Sequence, residues 1–315
     1  MRTLLVSLIS MLSMAPCISQ KEANIWVVGD DYGIDFNHNR FTVFDRPSFN
    51  VDDNRGLFTN SASICDPQTG ALLFYTEGQN VWNRDFHIMP NGRELNGGRD
   101  FGQTVLIVPY PDQEDLYYLF TTRLFEDSVE RISPSGEILE KSETGLYYSI
   151  IDMQLDRGRG DLIPALKNQL LLKKSSETLT AVPHINGQDF WLLTHEWGTD
   201  RFVVYPVTSH GIGKALFFTS GQLYNTDGFD GYLQASPNGK MLVFLAGNSP
   251  GSTPVGVPDA KNPIEWYNFD AATGTIFNRR VLGFYPNPVS AAFSPDNTKL
   301  YFSYYKDDTA LSVRP

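Results

Sequence analysis

The chain has 315 residues, of which 41% are hydrophobic and 13% aromatic, and its formal net charge is -11. Its 36 acidic residues outnumber 25 basic ones, which argues against nucleic acid as a partner because that binding depends on Lys and Arg at phosphates. After the N terminus no segment reaches the roughly 18 apolar residues of a membrane-spanning helix, so no transmembrane segment is expected.

The N terminus has the pattern of a signal peptide. Arg2 supplies the positive charge, residues 4–14 form a short apolar stretch, and Cys17-Ile18-Ser19 predicts cleavage before Gln20. Residues 1–19 are therefore predicted to be a signal peptide, and the protein to be secreted or held on the outer cell surface, with the periplasm as the alternative. Lipid attachment at Cys17 is not expected, because Pro16 stands where a lipobox has Gly or Ala. Cleavage leaves Cys65 as the only cysteine, so no disulfide can form within the chain.

A polar turn followed directly by an apolar strand recurs along the chain. The copies are DPQTGALLF (66–74), PDQEDLYYL (111–119), INGQDFWLL (185–193), SPNGKMLVF (236–244) and SPDNTKLYF (294–302). Such regular punctuation indicates a repeat architecture. One segment alone has a helical pattern, residues 161–174, and Pro164 near its start reduces it to a short turn or another strand.

The predicted strands form groups of four in chain order. A first blade covers 57–95. Three complete sets of four strands follow. The first set is 104–108, 116–120, 146–153 and 169–172, and the second is 178–184, 190–196, 202–207 and 215–219. The third set is 230–235, 241–246, 264–269 and 276–282. About 40 to 50 residues per four-stranded antiparallel sheet is the period of a propeller blade. The sequence therefore predicts an all-β fold, a β-propeller, with a β-sandwich pair as the alternative.

Alternation along one predicted hairpin favours the propeller. If Asn186-Gly187 is a two-residue turn, the two faces of the hairpin carry Val182, Trp191, Leu193 and Trp197 on one side, and Leu179, Ala181, Phe190 and Leu192 on the other. Both faces are apolar, as in a blade packed between two neighbours, whereas a sandwich sheet has a polar outer face.

The two ends of the chain bear on ring closure. We expect strand 25–28 to pair into the last blade, which begins at 289–305, because ring closure removes exposed sheet edges. Residues 307–315 (DDTALSVRP) offer no further strand, so about five blades are visible and the last is incomplete. Residues 20–315 are thus expected to be one propeller domain, truncated at its C terminus and able to self-associate through its open last blade.

Several segments together resemble a known family. They are GDDYGIDFN (29–37), SASICDPQTGALLFYTEGQNVWNRDFHIMPNG (61–92), GQTVLIVPYP (102–111), GLYYSIIDMQLDRGRGDL (145–162), LTAVPHINGQDFWLLTH (179–195), GYLQASPNGKML (231–242) and FSPDNTKLYFS (293–303). As a set they resemble the N-terminal β-propeller region of secreted Bacteroidetes proteins that carry PKD or immunoglobulin-like modules and a gliding-motility-type sorting domain for type IX secretion. The resemblance implies adhesion or motility at the cell surface, and it brings no catalytic residues. No such module or sorting signal is present within this sequence, which leaves surface anchoring open.

Two short segments supply the candidate ligand-binding residues. Glu77, Trp82 and Arg84 lie in TEGQNVWNRD (76–85), where a carboxylate beside an aromatic ring suits a carbohydrate. The structural alternative is a turn at Glu77 with Trp82 wedged between blades. His195, Glu196 and Trp197 end a predicted strand and are candidates for polar and aromatic residues at the rim.

No metal or other cofactor is expected. His184 and His195 flank one hairpin, but strand spacing separates them by more than ~15 Å, too far for one zinc ion. Calcium remains an alternative, with Asp227 and Asp230 in an Asp-rich loop as its candidate ligands. Arg159-Gly160-Asp161 matches the integrin-binding tripeptide, and we interpret the match as coincidence.

These patterns predict an exported, non-catalytic propeller that binds a glycan or another protein through rim loops. The chain has no Ser-His-Asp spacing, Gly-x-Ser-x-Gly elbow or phosphate loop. The alternatives are a propeller-type polysaccharide hydrolase and a truncated remnant without independent function.

Overall fold

The strands of the protein follow one another as short antiparallel sheets. The computed structural model describes residues 21–28, 32–38, 40–45, 60–98, 102–123, 131–132, 138–140, 145–224, 231–246, 261–286, 288–307 and 310–314. Sheet 1 consists of β1 (Ile25–Val28), β2 (Tyr32–Asp35) and β3 (Thr42–Asp45), and sheet 2 of β4 (Ala62–Cys65), β5 (Leu72–Thr76) and β6 (Val81–Asn83).

Sheet 3 begins with β7 (Val105–Pro109) and β8 (Leu116–Arg123). A separate small hairpin follows, β9 (Arg131–Ile132) with β10 (Ile138–Glu140). Sheet 3 then resumes with β11 (Gly145–Asp152), on which β12 (Asp161–Leu162) and β13 (Gln169–Leu172) both pair. The one-turn helical segment α1 (Leu155–Gly158) and a 3-10 turn (Pro164–Leu166) lie between these strands, so Pro164 does limit 161–174 to a turn and a strand.

The remaining sheets repeat the pattern. Sheet 4 contains β14 (Thr180–Pro183), β15 (Phe190–His195), β16 (Thr199–Thr208), β17 (Gly211–Ile212) and β18 (Leu216–Tyr224). Sheet 5 contains β19 (Gly231–Ala235), β20 (Met241–Ala246), β21 (Lys261–Asp270) and β22 (Thr275–Pro286), and sheet 6 contains β23 (Pro288–Phe293), β24 (Leu300–Asp307) and β25 (Ala310–Arg314).

Consecutive sheets pack face to face. Five buried clusters lie in turn between sheets 1 and 2, 2 and 3, 3 and 4, 4 and 5, and 5 and 6. The first strands also contact each other, β1 with β4, β4 with β7, β14 with β19 and β19 with β23. Antiparallel sheets stacked in chain order around their first strands form a β-propeller, as the sequence predicts. A two-layer sandwich has one core between its sheets rather than a series of them.

The alternation predicted for sheet 4 is confirmed. Val182, Trp191 and Leu193 belong to the cluster shared with sheet 5, and Trp197 packs against it. Leu179 and Leu192 belong to the cluster shared with sheet 3, with Ala181 and Phe190 beside them. Both faces are covered because each face meets a neighbouring sheet.

Two predictions about the chain ends were wrong. β1 does not pair into the last sheet but forms a hairpin with β2, in which Ile25 lies opposite Asp35. Only three residues separate β1 from β2, so this pairing closes a far shorter loop than pairing of β1 with sheet 6 and costs less chain entropy. Sheet 1 was missed because β2 and β3 have four residues each, and Gly33 interrupts the apolar pattern. Gly33 is needed because a Cβ there would lie 2.1 Å from the Phe44 ring of β3.

Sheet 6 has one strand more than predicted. β25 covers Ala310–Arg314 and pairs with β24. With the unpredicted sheet 1, the described residues contain six stacked sheets rather than about five, besides the separate β9–β10 hairpin. The polar residues Asp307 and Asp308 concealed this strand in the sequence. No helix in the described part of the chain is long and apolar enough to cross a membrane.

Candidate functional site

Glu77 shapes the turn that follows β5. The residue is buried, and its carboxylate accepts hydrogen bonds from the Asn80 backbone N–H at 3.1 and 3.2 Å and from Asn80 Nδ2 at 2.7 Å. Acceptance of several N–H groups by one carboxylate stabilises a tight turn. Glu77 therefore occupies the turn position that the structural alternative assigns to it.

Trp82 is a core residue between sheets 1 and 2. Its ring stacks on Tyr75, with centroids 5.4 Å apart and planes 7° from parallel. Ile25 and Val27 of β1 complete the same cluster. A buried indole offers no platform to a sugar, so the arrangement matches the wedge between blades and not an exposed binding surface.

Arg84 lies on the surface and braces a left-handed turn. Its Nη2 donates to the carbonyl of Gly158. That turn has left-handed backbone angles at Asp156 (φ 45°) and Arg157 (φ 60°). The guanidinium thus links sheet 2 to the connection that follows β11.

The Arg159-Gly160-Asp161 tripeptide is part of the same connection and is structural. Asp161 is buried, and its carboxylate accepts from Asn91 N at 2.8 Å and Asn91 Nδ2 at 2.7 Å. A Cβ on Gly160 would lie 2.7 Å from Met153 Sδ. An integrin requires an exposed Asp carboxylate, so the geometry agrees with coincidence.

His195 lies in the core rather than at a rim. Its ring stacks on Phe244 at 5.1 Å and meets the edge of Phe202 at 4.9 Å. Burial lowers the pKa of this imidazole to about 3, because the charged form would lose its hydration. His195 is therefore neutral across the physiological pH range.

The two residues after His195 belong to the end of sheet 4. Glu196 forms an ion pair with Arg201, whose guanidinium also lies 5.5 Å from the centre of the Phe217 ring. Trp197 is partly buried against the cluster between sheets 4 and 5. This pair stabilises the β15–β16 hairpin, and only part of Glu196 and Trp197 reaches solvent.

A buried seam connects the two predicted groups. It consists of Gly78, Gly97, Gly98, Gly102 and Glu177, and we call it the glycine seam. A Cβ on Gly98 would lie 2.6 Å from Glu177 Oε1, and one on Gly102 would lie 2.4 Å from Glu177 Cβ. Glu77 adjoins the seam at Gly78, while Ser176 beside Glu177 donates its N–H to the His195 carbonyl at 2.9 Å.

Sequence reasoning missed the glycine seam. Glu177 is fully buried, and its carbonyl accepts from Gln103 N at 2.7 Å. The available signal was the glycine cluster at 97, 98 and 102, since glycines close in sequence indicate near approach of another segment. Nothing local to Glu177 indicates that it is the segment approached.

A cleft opens along the first strands of sheets 1, 2 and 3. Its volume is about 410 Å³, and it is lined by Trp26, Val27, Ser61, Ala62, Ser63, Leu106 and Ile107. We call it the axial cleft. Ser61 Oγ donates to the Val27 carbonyl at 2.5 Å and Ser63 Oγ to the Ile25 carbonyl at 2.6 Å, which fixes β1 against β4. Each hydroxyl keeps acceptor capacity for a ligand, and the volume falls within the range of small-ligand sites.

The two histidines considered as zinc ligands are in different environments. Among the described residues, no three side chains of the His, Cys, Asp and Glu types converge as ligands of one ion. His184 lies in an exposed turn with Nε2 3.2 Å from the Ala272 carbonyl, whereas His195 is buried. Asp227 and Asp230 lie outside the described residues.

Comparison with known proteins gives distant structural likeness only. No family model and no curated protein matches the chain. Hydrazine synthase from Kuenenia stuttgartiensis has a TM-score of 0.42 at 13% identity, with 86% of this chain and 66% of that chain covered. A member of the DUF4221 family from Bacteroides vulgatus has a TM-score of 0.41 at 11% identity, with 94% and 96% covered.

A third solved structure is itself named as a propeller. The Cps50 (Swd1) β-propeller domain from Myceliophteria thermophila has a TM-score of 0.33 at 11% identity, with 90% of this chain and 95% of that chain covered. Similarity this low supports no inference about activity. The fold follows from how the six sheets pack on one another.

Proposed function

We propose that this protein is an exported, non-catalytic β-propeller that binds a neutral glycan at the axial cleft. The observation that carries the proposal is the cleft itself, whose lining combines an indole, aliphatic side chains and two serine hydroxyls. A sugar presents an apolar ring face and hydroxyl groups, which such a lining can contact together. Adhesion at the cell surface is the role that the resemblance to secreted Bacteroidetes proteins favours.

The competing hydrolase needs two accessible carboxylates. Retaining and inverting glycosidases both place an acid on either side of the scissile bond. The residues lining the axial cleft include no acid, whereas Glu77 and Glu177 are buried beside the glycine seam. This distribution supports binding over hydrolysis.

Binding to polysaccharides by the mature protein, residues 20–315, tests the proposal. We expect Trp26→Ala to weaken glycan binding at least tenfold, measured by calorimetry against a panel of neutral polysaccharides. Phe277→Ala is the matched control, because Phe277 is an exposed aromatic residue on β22 and does not line the axial cleft. Its affinity should equal that of the wild type.

Two results would contradict the proposal. If Trp26→Ala and Phe277→Ala lose binding equally, the glycan is bound by exposed aromatic side chains in general and not by the axial cleft. Release of new reducing ends from a polysaccharide, abolished by Glu77→Gln or Glu177→Gln, would favour the hydrolase.

A further inference from the structure

Sheet 1 has an apolar face that no other sheet covers in the described residues. Trp26 lies opposite Ile34, and Ile34 lies opposite Val43, so the three form a row across β1, β2 and β3. Tyr32 and Phe36 lie two residues to either side of Ile34 and share its face. We call this surface, with Phe41 beside it, the outer face of sheet 1. The ring of Phe36 lies 5.0 Å from Trp26 and 6.3 Å from Phe41.

The opposite face of the same sheet shows what such a surface normally contacts. Ile25 and Val27 are buried against sheet 2, and Phe44 packs beside them. Sheet 1 is thus apolar on both faces, as are the sheets packed between two neighbours. An apolar sheet face exposed to water is costly, and monomers rarely keep a large one.

The exposed area is large enough for an interface. The exposed fractions are 52% for Trp26, 55% for Tyr32, 39% for Phe36, 64% for Phe41 and 59% for Val43. They correspond to roughly 400 to 670 Å² of surface, since an aromatic side chain presents about 150 to 250 Å². Two such faces together bury roughly 800 to 1,300 Å², a range that includes the roughly 1,000 Å² expected of a specific interface.

We propose that the outer face of sheet 1 is a homodimer interface, in which two copies pack this face against each other about a twofold axis. Its six residues are uncharged, whereas Asp45, exposed at the end of β3 and opposite Tyr32, places a carboxylate at the edge of the same face. A twofold interface requires one self-complementary patch, and a flat apolar sheet face meets that condition. This proposal goes beyond the proposed glycan binding, although the two surfaces share Trp26, which also lines the axial cleft.

Other occupants fit less well. A glycan needs several hydrogen-bonding groups. The outer face offers the Tyr32 hydroxyl, the Asp45 carboxylate at its edge and the Trp26 Nε1, which already donates to the Ala23 carbonyl at 2.8 Å. The far side of sheet 6 carries the Ser290 and Ser303 hydroxyls, hydrogen-bonded to each other at 2.8 Å, and the half-exposed ring of Tyr301. A single ring beside small hydroxyl side chains complements only part of a row of large rings.

Molar mass measurement on the mature protein is the first test. We expect a monomer–dimer equilibrium with a dissociation constant on the order of 10 μM, because the buried area is at the lower end for specific complexes. Val43→Asp should raise that constant at least thirtyfold, by placing a carboxylate in the interface. Ile185→Asp is the matched control, since Ile185 is exposed in the β14–β15 turn, and it should dimerise as the wild type does. Val43 does not line the axial cleft, so the Val43→Asp monomer should still bind glycan.

Cross-linking gives an answer even if Val43→Asp misfolds. Sheet faces pack about 10 Å apart, so a bismaleimide of that span should join two copies of a Val43→Cys variant and leave an Ile185→Cys variant unjoined. Cys65 is buried and does not compete. A wild-type protein that stays monomeric at about 100 μM overturns the proposal. A dimer that Val43→Asp leaves intact also overturns it. The same holds if the Val43→Cys thiol neither cross-links nor reacts with monomeric maleimide, because another part of the chain then covers the face.

Discussion

At the scale of single residues, the role of a polar side chain follows from where it is buried more than from its residue type. His195 and Glu77 have the chemistry of functional groups, yet one is stacked among aromatic rings and the other is tied to its own turn. The same holds for Asp66 and Asp270, whose pKa values are lowered because each carboxylate accepts hydrogen bonds from the turn that it begins. The polar residues that punctuate the repeats therefore act as turn-forming groups.

The buried imidazole of His195 gives the stability a pH dependence. The unfolded chain takes up a proton near pH 6.5, whereas the folded imidazole stays neutral until about pH 3. Stability is therefore fully present above pH 6.5 and falls as the pH drops toward 3, by about 2 kcal/mol at pH 5 from this group. We expect the urea midpoint of His195→Leu to change less between pH 7 and pH 5 than that of the wild type, with exposed His210→Leu as the control. Parallel curves for His195→Leu and the wild type would contradict this.

Position 102 requires glycine because Glu177 leaves no room for a side chain there. A Cβ there would lie 2.4 Å from Glu177 Cβ, and neither segment can retreat within a packed core. Gly102→Ala should therefore cost about 1 to 3 kcal/mol of unfolding free energy, measured by denaturant titration. Gly187→Ala is the control: nothing lies within 4 Å of its Cβ, and only its backbone angle (φ 74°) opposes the change, at about 1 kcal/mol. Equal losses in both variants would exclude the steric explanation.

At the scale of elements, neighbouring sheets are joined by specific polar contacts as well as by apolar packing. Trp191 of β15 donates from Nε1 to the Ala271 carbonyl at 2.9 Å, in the turn between β21 and β22. Gly274 in that turn leaves room for the indole, because a Cβ there would lie 2.7 Å from Trp191 Cζ3. Turns of one sheet thus fix the position of the next.

The buried ion pair of sheet 5 can be tested by a double-mutant cycle. Glu265 is fully buried and accepts from Arg279 Nε at 3.0 Å and from the Tyr267 hydroxyl at 2.6 Å. Burial, reinforced by the Glu265 carboxylate, raises the pKa of Tyr267. Arg279→Met should cost about 2 to 3 kcal/mol, because it leaves a buried carboxylate without its cation while Arg279 itself is partly exposed.

Adding Glu265→Gln to Arg279→Met should recover part of that loss. The amide removes the buried charge and keeps an acceptor for Tyr267, so the double variant should be more stable than Arg279→Met alone. Unfolding free energies from urea titration measure both. Strictly additive losses would show that the two side chains do not interact.

At the scale of the whole molecule, we expect packing between sheets to stabilise the protein without a metal. We expect thermal unfolding of the mature protein to shift by less than about 1 °C in EDTA, since only an ion bound to the folded state is linked to its stability. The described His and Asp residues do not converge on a common point. A midpoint that falls by many degrees, and returns with calcium, would contradict this and direct attention to Asp227 and Asp230.

Part of the candidate site followed from sequence, and part did not. Turn chemistry at Glu77 and the wedge position of Trp82 are local consequences of strand alternation. The approach of Gly98 and Gly102 to Glu177 joins residues about 75 or more positions apart in the chain, and the axial cleft joins three sheets. A local sequence pattern does not predict contacts between residues that are so far apart in the chain.

The sequence by itself determined the propeller fold, the approximate positions of the four main strands in each of sheets 3, 4 and 5, and the apolar character of both faces of sheet 4, because alternation and turn residues act within a few positions. It did not predict the short strands β12 and β17. Tertiary structure alone decided that β1 pairs with β2, that Ala310–Arg314 adds a strand to sheet 6, and that the outer face of sheet 1 is exposed. Whether a face is covered depends on which sheet stacks on it, and stacking is set by the whole ring.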